Sequence, residues 1–237
     1  MKNFSPGFWP TVMTIPIVIV LLTLSIWQLN RYAWKVELID HLSAQLALDP
    51  VDLPTGDVVL SEWEHRKVRL RGEFLHEKEI HLFSHADKGR KGFQIITPFK
   101  RAETGQIYLV NRGWVNEGFK DPENRTEGLI SGVVNVTGVV RKPWTKSYDF
   151  LPDNNRATNV WLYGDLAQMA AHQNVEAAPF FIELDATPVP GGWPIGGQTR
   201  ISIPNNHLEY FITWLGLAAA MLAIYIFYGI GKAKKKD

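Results

Sequence analysis

The residues able to do side-chain chemistry are few, and they are mostly histidines: His81 with His85, and His207 close to Phe211 and Trp214. The chain has no cysteine, so thiolate metal ligands, disulfides and a cysteine nucleophile are excluded. The spacing of His81 and His85 suits two metal ligands on a helix. The surrounding alternation predicts a strand, however, in which the two would stand about 13 Å apart, and they are expected to be exposed strand-end histidines. The pairs Gly191-Gly192 and Gly196-Gly197 do not lie between a strand and a helix and read as a linker, not a phosphate cradle. Asn124-Arg125-Thr126 matches a glycosylation sequon but reads as a loop. There is no serine elbow and no paired-carboxylate signature, so binding is expected, not catalysis.

His207 is different because it follows Pro204-Asn205-Asn206 and opens a long apolar run, with Asn206 placed to cap a helix. At 100° per residue, His207, Phe211, Trp214, Ala218 and Tyr225 share one broad face, and Thr213, Gly216, Ala220 and Ala223 share the opposite one. The small-residue face is expected to receive a second apolar helix, whose stripe of Thr11, Thr14, Ser25 and Gln28 is a plausible partner. That would leave the aromatic face for something else. An imidazole there either ligates the iron of a lipophilic haem packed on Phe211 and Trp214, or anchors the helix at the membrane interface. Arg31 and Lys35 emerge at the same depth and pair either with haem propionates or with lipid phosphate.

Two apolar runs position these residues. Phe8 to Leu29 holds 22 residues without a charge and Tyr210 to Ile230 holds 21, each long enough to cross a hydrocarbon core of about 30 Å. The first is longer than a signal-peptide core, although Thr23 and Ser25 would suit a cleavage site. Two spans place both ends on one side, and Lys232, Lys234, Lys235 and Lys236 mark that side as the positive one. The expected layout is a cytoplasmic tail over 1–7, a first span over 8–29, an outer domain over 30–206, a second span over 207–230 and a basic tail over 231–237. Seven residues before the first span are too few for a transit peptide, which suggests a bacterial inner membrane with a periplasmic domain; a processed mitochondrial protein is the alternative. From Arg31 to Asn206 the chain carries 20 basic and 22 acidic residues, so nucleic acid is not an expected partner but the lipid bilayer is.

Between the spans the pattern is α+β. Helix continues from Arg31 to Leu48, where Asp49-Pro50 stops it. Strands are expected at Lys67–Phe74, Lys78–Phe83, Phe93–Phe99, Gln106–Asn111, Val133–Arg141, Phe180–Leu184 and Thr199–Ile203, with one helix near Asp165–His172 and a turn-rich linker over Pro188–Gly197. Such spacing predicts a mainly antiparallel, strongly curved or barrel-like sheet.

Several blocks occur in an order that resembles the Surfeit locus protein 1 family. They are Trp27-Gln28-Leu29-Asn30-Arg31 with Trp34-Lys35, Thr97-Pro98-Phe99, Val110-Asn111-Arg112-Gly113-Trp114-Val115, and Asn206-His207-Leu208-Glu209-Tyr210 with Thr213-Trp214. Ser25 departs from the pattern, where such proteins often carry glycine. The resemblance implies an assembly factor for haem-copper cytochrome c oxidase, not an enzyme. It implies haem a as bound cargo, and as partners the oxidase catalytic subunit and haem a synthase. It makes His207 the candidate iron ligand and Trp214 a pocket wall; Phe211, Arg31 and Lys35 join them as candidate cofactor-binding residues on the interfacial reading above, and Arg112 is a further candidate cation. Arg112, expected just after a strand, is read either as a structural turn residue or as a propionate partner. A scaffold that stabilises an oxidase intermediate without cofactor is the alternative function.

Overall fold

The computed structural model describes residues 4–56, 58–85, 90–144, 146, 148, 150, 152–199 and 203–234. They divide into two units, one from residues 1–42 with 201–237 and one from residues 43–200.

The first unit is a pair of helices, α1 (Phe8–Ala47) and α4 (His207–Lys234), both long and apolar enough to cross a membrane. They run antiparallel. Ser5 N donates to Gly229 O at 3.0 Å near one end, and Lys35 Nζ donates to Pro204 O at 2.6 Å near the other. The protected positions of α1 include Thr11, Thr14, Val18, Leu21, Ser25 and Gln28, and those of α4 include His207, Phe211, Trp214, Ala218, Met221, Tyr225, Gly229 and Ala233. Both sets step by three and four residues, the spacing that keeps two helices in contact along a seam.

The seam takes the polar stripe of α1, as expected, but meets the opposite face of α4 from the one expected. Thr213, Gly216, Ala220 and Ala223 are exposed, whereas Ser25 Oγ donates to Phe211 O at 3.3 Å and Thr11 Oγ1 meets Tyr225 Oη at 2.7 Å. Small residues permit close approach, but the α4 groups that hydrogen-bond to the hydroxyl and amide side chains of α1, among the described residues, all lie on the His207–Tyr225 side. Asn206 supplies its carbonyl to Tyr210 N at 3.3 Å, and its side chain makes no capping bond among the described residues.

The second unit is built on eight strands: β1 (Val51–Asp52), β2 (Lys67–Phe74), β3 (Ile80–His85), β4 (Lys91–Arg101), β5 (Ile107–Asn116), β6 (Val134–Arg141), β7 (Val160–Trp161) and β8 (Ala177–Leu184). Their order is β1-β2-β6-β8-β5-β4-β3-β7, and β2 also pairs with β4, closing β2, β6, β8, β5 and β4 into a ring. The α+β barrel expected from the sequence is therefore present, with a mixed sheet: β1–β2, β3–β7 and β5–β8 are parallel and the other pairings antiparallel.

Alternation explains the core. Tyr108 and Val110 of β5 join Phe180 and Ile182 of β8, Phe99 and Leu70 in one cluster, while Leu109, Phe181 and Ile96 point the other way and pack with Trp161, Leu166 and Met169. β5 and β8 are covered on both faces, which is why they read as apolar runs without clean alternation. α3 (Leu166–His172) supplies part of the outer cover; Asp165 caps it by accepting from Gln168 N at 3.0 Å. A short α2 (Leu60–Trp63) and the strands β1 and β7 were not anticipated, being too short to carry a period. The strand expected at Thr199–Ile203 falls at 200–202 outside the described residues, and neither Thr199 nor Ile203 is in a strand.

Phe99 is fully buried against Phe74, with ring centroids 4.8 Å apart, at the β2–β4 closure. Phe99→Ala is expected to lower the unfolding free energy by about 3–5 kcal/mol. Urea titration of the detergent-solubilised protein, followed by tryptophan fluorescence, measures this; a change below about 1 kcal/mol would mean that closure does not depend on this ring.

Candidate functional site

In the helical unit His207 Nδ1 lies 2.5 Å from Gln28 Oε1, and the indole of Trp27 stands edge-on to the imidazole at 6.4 Å. An amide oxygen only accepts, so Nδ1 carries the proton. The other nitrogen, Nε2, then presents a lone pair and has no protein partner among the described residues. This is the protonation pattern of a metal-binding histidine, with Gln28 as the group that orients the ring.

The other candidates of this unit are less free. Phe211 and Trp214 are half-buried on the α1 side, so neither belongs to an unoccupied aromatic face. Lys35 is hydrogen-bonded to Pro204 O, and the Arg31 guanidinium lies 4.5 Å from the centroid of the Trp34 ring. Asn205 Nδ2 reaches Tyr32 O at 3.4 Å, which together with Lys35 ties the approach to α4 against α1.

Arg112 belongs to the barrel. β5 does not stop at Asn111 but continues to Asn116, so Arg112 is a strand residue and not a turn residue. It follows Tyr108 and Val110 on the inward face, where its guanidinium lies 4.8 Å from the Phe74 ring centroid and donates to Gly128 O and to His76 Nδ1. Burial, and then the charge of Arg125, pull its pKa down to about 10. Its neighbours in the sequence hold this geometry. Asn111 Oδ1 accepts from Gly113 N at 3.1 Å, and Gly113 has φ +125° with the Ile195 carbonyl where a Cβ would stand. Trp114 N and O exchange hydrogen bonds of 2.9 Å with Ile195. Residues 188–197, expected as a plain linker, are thus seated on β5, and Trp193 stacks on Phe119 at 4.8 Å.

One cluster escaped the sequence reading. His81 is buried, not exposed, and its Nε2 meets Glu79 Oε1 at 2.8 Å, while Arg125 donates to the same oxygen. The signal was present in the strand expected at Lys78–Phe83, where Glu79 and His81 are two residues apart and so share a face, with the buried Ile80 and Leu82 on the other. His85, by contrast, is exposed, and no group of three potential metal-ligating side chains occurs among the described residues. Burial alone would raise the Glu79 pKa; the His81 hydrogen bond and the Arg125 charge outweigh it and hold the carboxyl below its ordinary value.

Comparison with known proteins bears on all of these residues together. A model of the SURF1 family matches residues 15–219, from the first span into α4. The chain belongs to the SURF1 family. It is 39% identical over 214 residues to Surfeit locus protein 1 of Xenopus tropicalis, covering 84% of this chain and 68% of that protein. It is 38% identical over 233 residues to a SURF1-like protein of Monosiga brevicollis, covering 93% of this chain and 87% of that protein, and 38% identical over 213 residues to human Surfeit locus protein 1, covering 83% and 70%. The family match takes in Gln28, Arg112 and His207 alike.

The Glu79 cluster makes stability depend on pH. A carboxyl whose folded pKa lies below its ordinary 4.5 contributes stability that is complete above that value and is lost as pH falls through the folded pKa. The urea midpoint of the native protein is therefore expected to drop on acidification below about pH 4.5. Glu79→Gln is expected to be about 3–5 kcal/mol less stable at pH 7, because Arg125 loses its buried counter-charge, and to show a shallower acid decline. Parallel slopes for the two proteins would remove Glu79 from the acid response.

Proposed function

We propose that this chain is a membrane-anchored assembly factor for haem-copper cytochrome c oxidase that binds haem a through His207 and passes it toward the catalytic subunit. Membership of the SURF1 family supports the role in oxidase assembly. The observation that carries the haem reading is the His207–Gln28 hydrogen bond, because it protonates Nδ1 and leaves the Nε2 lone pair for iron. Haem a is cargo in this reading, and the protein's task is to hold and orient it. Arg31, beside the Trp34 ring, is the cation this reading gives to a propionate, while Lys35 would have to exchange its Pro204 carbonyl for one. Haem a synthase, as the source of the cargo, and the oxidase catalytic subunit, as its destination, are the partners this role requires.

A second reading is favoured by the packing of α4. Because Phe211 and Trp214 lie toward α1, a porphyrin does not find an open aromatic wall on that face. A scaffold that stabilises an oxidase intermediate through protein contacts alone needs none. In both readings α1 and α4 cross an inner membrane, that of a bacterium with the barrel in the periplasm, since Lys232 and Lys234 near the end of α4 mark the cytoplasmic side.

Co-expression with the enzymes of haem a synthesis, followed by purification and absorption spectroscopy, separates the readings. The native protein is expected to carry haem a and His207→Ala to lose it at unchanged membrane abundance. Gln28→Leu should weaken retention about tenfold by freeing the ring, and Trp214→Ala should weaken it less. Full haem a occupancy in His207→Ala would remove the ligand assignment, and a haem-free native protein that still supports oxidase assembly would establish the scaffold. For orientation, a reporter active only outside the cytoplasm should work when inserted at Gly191 and fail when fused after the last lysine; the reverse pattern would invert the topology.

A further inference from the structure

The barrel contains a pocket of about 330 Å³ with Arg112 in its wall. Its apolar lining comes from Phe74, Ile130, Val134, Val136, Leu184 and Val189. It forms because β6 pairs with β2 from Val134 onward but meets β8 only from Gly138, so the far edge of Val134–Thr137 is not covered by a strand. The segment after β8 crosses this gap, Asp185 N donating to Thr137 O at 3.0 Å.

Arg112 is 2% exposed, and every partner it has among the described residues is neutral. Gly128 O is a carbonyl and Phe74 is a ring. His76 accepts through Nδ1 because its Nε2 faces the Ile130 carbonyl at 2.9 Å, and burial holds its pKa below the ordinary value. Among the described residues, the carboxylate acting on Arg112 through space is Glu79, which is already engaged by Arg125 and His81. Asp185 also lines the pocket, but its Oδ1 accepts from Thr187 N at 3.0 Å and makes no ion pair with Arg112 among the described residues. Two buried guanidinium groups, Arg112 and Arg125, thus share one carboxylate, and among the described residues Arg112 is left without a counter-ion of its own. Such a charge is costly unless an anion joins it.

We propose that this pocket binds a small amphipathic monocarboxylate, its carboxylate on Arg112 and its apolar body along Phe74, Val136 and Val189. A single negative charge matches the one guanidinium of the lining, which forms no ion pair among the described residues. The volume and the apolar walls exceed what a bare anion fills, so the body contributes as well as the head. The inference does not depend on whether His207 holds iron.

The test is calorimetric titration of the full chain in lipid nanodiscs, with empty discs as the baseline, using 4-phenylbutyrate, its neutral isostere 4-phenylbutanol and inorganic phosphate. The acid is expected to bind saturably and at least about tenfold more tightly than the alcohol, with no saturable phosphate binding. Arg112→Lys, which keeps the core charge but loses the planar fork, is expected to weaken the acid about tenfold. Val189→Trp, on the segment after β8, should fill the mouth and abolish binding with unchanged circular dichroism. Equal affinity for acid and alcohol, phosphate binding as tight as the acid, unimpaired binding by Val189→Trp, or no saturable binding of the acid would each overturn the proposal.

Discussion

Strand β2 hydrogen-bonds on both edges, to β6 along Lys67–Gly72 and to β4 along Gly72–Phe74, and everything in the barrel depends on that double pairing. Without the β2–β4 contact the sheet would have two open edges and no interior. Closure brings β4 close against β2 at Gly72, where the Lys100 carbonyl and the Phe99 ring occupy the space a Cβ would need. A residue with a side chain would force the strands apart at the one place where they must meet. Phe74 then turns inward onto Phe99 and provides the surface over which Arg112 lies.

Closure also places the buried charges. Because β5 and β8 are covered on both faces, polar side chains on them must find internal partners, and the Asn111–Arg112–Gly113 stretch does so by a register shift between Gln94 and Ile96 in the facing strand. Asn111 reaches Gln94 Oε1 at 3.0 Å across that irregularity. Arg125 enters the same polar region from a 3-10 segment, Pro122–Gly128, and completes Glu79 and His81. The result is a polar seam between apolar clusters, in which each hydrogen bond restricts the rotamers of the next.

The sequence made the local elements legible and left their partners hidden. Lys67–Phe74 and Val133–Arg141 were found almost to the residue because each has one face turned inward, which produces alternation. The pattern ends this strand at Asn111 because Arg112 and Gly113 look like a turn; what continues β5 is the bonding between Trp114 and Ile195, about eighty residues away in sequence. The parallel pairing of β5 with β8 is equally non-local and has no short-range signature. Gln28 with His207, Lys35 with Pro204 and Arg31 with Trp34 make their contacts at one end of the helix pair, yet the helical wheel gives α1 the opposite face of α4 from the one it meets. A helical wheel ranks faces by composition, whereas the choice was made by where the polar atoms of α1 could be satisfied.

That choice gives the helix pair its specificity. Apolar side chains between two membrane helices gain little by preferring each other over lipid, so Leu and Ile alone would let α4 rotate or slide. Thr11 with Tyr225, Ser25 with the Phe211 carbonyl, and Gln28 with His207 occur at successive levels along one seam, and each would be left unsatisfied by a rotation of α4. Ser25, the departure from glycine, remains small enough for the close contact and uses its hydroxyl on a carbonyl that is already part of the α4 ladder. The imidazole of His207 therefore has its orientation and its tautomer fixed by the same set of contacts that fixes the helix register. Any ligation proposed for this ring would therefore cost less than at a mobile histidine, since the cost of orienting it has been met in folding.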